Sequence, residues 1–95
     1  MTTDTLLASS APLTMSSREI AELCEKQHAH VCRDIRSMLD ELKISQSKFG
    51  STYIDDQGKE RAQYLLPKDL TMTLVSGYRV DLRFRIIKRL EELET

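Results

Sequence analysis

The side chains best suited to chemistry crowd between Ser16 and Ser37, where both cysteines, both histidines and the bases Arg18, Lys26, Arg33 and Arg36 stand. Cys24, His28 and Cys32 recur four apart and suggest a metal site. Structural zinc sites, however, use closely spaced ligand pairs plus a second, distant pair. The sequence has no second pair, so buried or half-buried thiols account better for the cysteines. Cys32 beside His28 or His30 is too thin a basis for a thiol enzyme. No glycine-rich phosphate loop or recognisable acid pair appears, and neither a catalytic role, a metal nor a cofactor is expected. What remains is contact with nucleic acid. An Arg on a helix face can pair bidentately with guanine in the major groove, while neighbouring bases hold phosphates.

That chemistry needs a helix to carry it. Ser16 can cap a first helix through its hydroxyl, with Glu19 reaching back to the cap amide as a capping box. Ile20, Ala21, Leu23 and Cys24 give this helix a buried side, and it should stop near Glu25. After a Lys26-Gln27 connection, a second helix is expected from about His28 to Leu42. At 100° per residue Val31, Ile35, Met38, Leu39 and Leu42 form its apolar stripe. His28 lies near the centre of that stripe, which suits a satisfied, partly buried ring better than a DNA contact. His30, Arg33 and Ser37 fall on the opposite side, with Asp34 and Arg36 at the flanks. A short helix, a tight turn and a second helix with a polar outer face make the helix-turn-helix plan.

On that plan His30, Arg33 and Ser37 form the reading face. Lys26, Gln27 and Arg36 are placed for phosphates, joined by Ser17 and Arg18 at the start of the first helix. The plainer alternative is a solvated helix face, with Arg33 paired to a neighbouring carboxylate and the serines serving only as caps.

Farther on, two extended runs, 49 to 54 and 61 to 66, flank Asp55-Asp56-Gln57-Gly58, whose Gly can take the positive φ of a hairpin turn. Such a hairpin would be a wing, with Gln57, Lys59 and Arg61 around its tip. Asp55 and Asp56 argue for an ordinary polar turn instead, since phosphate repels them. Pro67 suits the first turn of a third helix carrying Leu70, Leu74 and Val75 before Gly77 ends it. A fourth helix, from about Val80 to Leu93, carries Val80, Leu82, Phe84, Ile86, Ile87, Leu90 and Leu93 on a broad apolar side. Arg79, Arg83, Arg85, Lys88 and Arg89 on it suit phosphates or solvent. Alternatively they pair with acids of a second copy, which would make this helix a homodimer element.

The expected fold is therefore α+β, a winged helix-turn-helix-like domain of about four helices and one β-hairpin over residues 13–95. A mobile leader over residues 1–12 precedes it. At 95 residues there is room for one modest core. The net charge of −1 is low for a DNA binder, but it averages over a division. Between Gln57 and Arg89, eight bases (Lys59, Arg61, Lys68, Arg79, Arg83, Arg85, Lys88, Arg89) face three acids (Glu60, Asp69, Asp81). No apolar run approaches the ~20 residues of a membrane span. Two cysteines and no basic start before Arg18 suit a reducing, cytoplasmic setting.

Several blocks together carry a resemblance. Ser17-Arg-Glu-Ile-Ala-Glu-Leu23, His28-Ala-His-Val-Cys-Arg-Asp-Ile-Arg36, Ser51-Thr-Tyr-Ile-Asp-Asp-Gln-Gly-Lys59, the run from Tyr64 to Tyr78, and Arg83-Phe-Arg-Ile-Ile-Lys-Arg89 follow in an order that resembles the Rha-type phage regulatory proteins. The resemblance covers Met15 to Glu94. It implies a phage or prophage protein with a winged-helix-like DNA-binding domain. The leading expectation is then a regulator in a bacterial host cell that binds a short duplex site to control transcription, as a dimer on paired half-sites. In such proteins the first turn often reads small residue, Gly, base, where this chain has Cys24-Glu25-Lys26, and an Asn commonly stands in place of His30. The alternative is a phage-encoded inhibitor or antirepressor that acts on a repressor or host enzyme without touching DNA.

Overall fold

The computed structural model describes residues 13–94; the leader proposed for residues 1–12 lies outside them. The described chain runs β1 (Thr14–Ser16), α1 (Ser17–Cys24), α2 (His28–Glu41), a short 3-10 turn (Gln46–Lys48), β2 (Gly50–Ile54), β3 (Glu60–Pro67), α3 (Lys68–Val75) and α4 (Val80–Glu94). The fold is α+β, with four helices and a three-stranded antiparallel sheet in a winged-helix-like arrangement.

Ser16 caps α1 as expected, its Oγ accepting the Glu19 N–H at 3.1 Å. The reciprocal half of the capping box does not form. The Glu19 carboxylate accepts instead from Arg89 Nε at 2.7 Å, because a charge-assisted bond to guanidinium outcompetes one to a neutral amide. The first helix stops where the sequence suggested, at Glu25. That residue takes a left-handed conformation (φ 53°), with Glu25 N–H bonded to Glu22 O and Lys26 N–H to Ala21 O. The second helix closes the same way on Lys43 (φ 58°). Left-handed backbone costs a non-glycine residue about 1–2 kcal/mol, and glycine gives part of that back as unfolded-state entropy. Glu25→Gly is therefore expected to raise stability by about 0.5–1 kcal/mol, read as a higher denaturation midpoint. An unchanged or lower midpoint would contradict the strain.

Beneath α2 lie Val31, Ile35 and Leu39, all 0% exposed, with Met38 partly buried beside them, which is four of the five residues of the predicted stripe. Leu42 is outside it. As the residue that ends the helix it is 46% exposed. Cys32, not placed on the stripe, is buried. The core joins these to Met15, Ile20, Leu66, Val75, Ile86 and Leu90.

β3 is the central strand. It pairs with β2 from Gly50↔Tyr64 to Ile54↔Glu60, and Gly58 takes the positive φ (79°) of the turn between them. On its other side β1 pairs with it, Ser16↔Leu65 through Thr14↔Pro67. The sequence reading missed β1, since three residues are too few to show a period of two. Met15, 1% exposed, anchors it in the core. The fourth helix buries only part of its expected side. Leu82, Ile86 and Leu90 face inward, while Val80 and Phe84 are 69% and 61% exposed. One stripe of a helix can face one core, and the second row of apolar residues lies outside it.

Candidate nucleic-acid interface

A polar node fixes α2 against the rest of the domain. Ser17 Oγ, wholly buried, accepts the backbone N–H of Tyr64 on β3 at 3.0 Å. Its own hydroxyl is then free to donate to His28 Nε2, 2.8 Å away. Cys32 Sγ lies 3.3 Å from the same nitrogen and 3.9 Å from Ser17 Oγ. One serine thus ties the start of α1, the start of α2 and the central strand together. Ser17 is accordingly withdrawn from the phosphate-contacting set, because a fully buried hydroxyl with both roles used cannot reach a duplex. Its role is to position the residues that can.

His28 is half-buried, as its place on the stripe suggested, and meets the edge of Tyr53 on β2 with ring centroids 6.0 Å apart. The Arg18 guanidinium covers that tyrosine ring at 3.8 Å. The helix pair and the hairpin are therefore joined through Tyr53. Burial, and secondarily the Arg18 charge, push His28 below its ordinary value of about 6.5. The folded state prefers the neutral ring, so its contribution is complete above about pH 6.5 and is lost as pH falls through the lower folded value. The melting temperature is expected to fall as pH drops from 7 to 5, more steeply than in His28→Gln. Equal slopes would remove His28 as the cause.

Lys26 folds inward rather than outward. Its Nζ lies 4.1 Å from the Tyr78 ring centroid and 4.0 Å from Asp34 Oδ2. The Tyr78 hydroxyl donates to Asp34 Oδ2 at 3.0 Å, and burial followed by that carboxylate raises the phenol far above its usual range. Lys26 contributes less to an outer surface than its position suggested, and Asp34 is partly neutralised. That matters for α2, whose exposed residues include His30, Arg33, Arg36 and Ser37, with Gln27 exposed just before it. Arg33 is 66% exposed and only loosely paired, Nε to Asp34 Oδ1 at 4.0 Å.

The hairpin tip is organised by the residue that argued against a wing. Asp55 Oδ1 accepts from the amides of Gln57 and Lys59, each at 2.9 Å, and Oδ2 accepts from Arg61 Nε at 2.8 Å. The Arg61 bond, first among several, holds the Asp55 carboxyl below the usual carboxylate range. This carboxylate is spent inside the turn. Arg61 is bound to it although half exposed, which leaves Asp56, Gln57 and Lys59 as the outward groups at the tip.

Two bases of α4 hold α1 in place. Arg85 Nη1 donates to the Leu23 carbonyl at 2.9 Å, and Arg89 holds Glu19 as described. Both cysteines are free and buried, and the Cys24, His28, Cys32 string does not gather into a metal-binding group among the described residues.

The model of one protein family, phage regulatory protein Rha, matches residues 15–95. The chain belongs to the phage regulatory protein Rha family. No curated protein and no solved structure matches it. The match takes in every element from α1 to α4, so the node, the exposed face of α2 and the hairpin all lie within the Rha region. Among the described residues no helix is long and apolar enough to cross a membrane. Sequence reasoning missed Tyr53, Tyr78 and Asp55 as organisers of this surface. Tyr53 carried a usable signal, since it sits on the same side of β2 as Ser51 in a strand whose alternate residues are exposed.

Proposed function

We propose that this Rha-family chain is a phage or prophage regulator that binds duplex DNA in the cytoplasm of its bacterial host to control transcription. The observation that carries the reading is the outer face of α2. His30, Arg33, Arg36 and Ser37 stand exposed over two turns, on a helix locked beneath by Val31, Ile35 and Leu39 and at its start by Ser17 and His28. In this helix-turn-helix reading α2 enters the major groove, with His30 and Arg33 toward base edges and Ser37 beside them. Arg18, Gln27 and Arg36 hold phosphates, and the hairpin brings Gln57 and Lys59 to the flanking backbone. Asp34 beside α2 and Asp55 in the hairpin turn are drawn into internal bonds, which lowers the repulsion from these two carboxylates, while Asp56 stays exposed at the tip.

The test is a mobility-shift series on random duplex at increasing salt. Affinity should fall steeply, because each neutralised phosphate releases condensed counterions. Absence of binding at low salt would sink the DNA reading and leave the rival, an inhibitor or antirepressor that grips a repressor or host enzyme.

A further inference from the structure

Val80 and Phe84 are two of the three most exposed large apolar side chains among the described residues, at 69% and 61%. At 100° per residue they share a stripe about 60° wide with Ile87 and Glu91, opposite the buried Leu82, Ile86 and Leu90. Arg83 lies on one flank of this stripe and Lys88 on the other. The charge along the helix is divided. Arg83, Arg85, Lys88 and Arg89, after an Asp81 that is paired with Arg79 just outside the helix, precede a closing run of Glu91, Glu92 and Glu94. Acids at a helix C-terminus are disfavoured by the macrodipole. Arg83 has no carboxylate partner among the described residues and makes only a 3.4 Å contact to the Ser76 carbonyl.

We propose that this face of α4 pairs with the same face of a second copy, antiparallel across a two-fold axis. Ile87 of one copy meets Ile87 of the other across the axis, with Phe84 about one turn to either side, and this register sets Arg83 level with Glu91 of the opposing helix. The occupant is a second copy because one helix carries both halves of the charge pattern, which is what an isologous contact requires. A parallel arrangement would set bases against bases and acids against acids. Three apolar residues bury well under the ~800 Å² per partner of a standard interface, so the dimer is weak. The surface shares no residue with the reading face of α2 and stands independently of the DNA reading.

Sedimentation equilibrium of the full chain over a micromolar-to-millimolar series tests it. The average mass should climb from monomer toward dimer, and Phe84→Lys should remain monomeric with an unchanged circular dichroism spectrum. Glu91→Lys should weaken association about tenfold, and adding Arg83→Glu should restore it, as expected of complementary charges. A wild-type chain that stays monomeric throughout overturns the proposal, as does a Phe84→Lys chain that associates normally. Failure of the charge swap to restore association overturns the antiparallel arrangement. Duplex binding by Phe84→Lys at low salt shows separately whether the reading face works.

Discussion

Ser17→Ala is expected to lower the unfolding free energy by about 1–3 kcal/mol, the cost of orphaning buried polar groups. The change removes only one oxygen, but that oxygen accepts the Tyr64 amide and lies 2.8 Å from His28 Nε2. Because Ser17 is 0% exposed, water cannot take its place without opening the junction. The loss should be read as a shifted denaturant midpoint. It should come with faster labelling of Cys32, whose thiol lies against the same pair. The phosphate-contact role first expected of Ser17 predicts the reverse pattern, lower duplex affinity at unchanged stability. A variant with wild-type midpoint and wild-type thiol protection would remove the node from the account.

How much of this could be read from the sequence depends on the range of the interaction. The cap at Ser16, the α2 stripe and the Gly58 turn are local, set within a few residues by sterics and periodicity, and were legible. β1 was not, because its partner lies some fifty residues away and three residues carry no pattern. The destinations of charged side chains were also hidden. Lys26 turns toward Tyr78, Glu19 toward Arg89 and Arg61 toward Asp55, and each choice is made by a neighbour that only tertiary structure supplies. The case of Asp55 is the sharpest. Its charge counted against a wing, yet its two oxygens bind two turn amides and a guanidinium and give the tip its shape. Val80 and Phe84 show the complementary limit. Hydrophobicity marks a residue as wanting burial, but not whether its own core or another chain supplies the cover.

The exposed bases of α2 should separate by what they touch. Arg33→Ala is expected to cost about 1–3 kcal/mol of discrimination at a preferred site, or about 5- to 150-fold in Kd, with much less effect on random duplex. Arg36→Ala, if it meets phosphate, should weaken binding to all sequences alike and lower the salt slope by about one. Neither change should disturb the fold, since both side chains are exposed and Arg33's nearest carboxylate is 4.0 Å away. The comparison requires selecting a preferred duplex from a random pool and titrating both variants on selected and random DNA. Equal losses for Arg33→Ala on the two duplexes would make it a phosphate contact. No loss on either would remove it from the reading face, leaving His30 and Ser37 too little hydrogen-bonding capacity to specify a site.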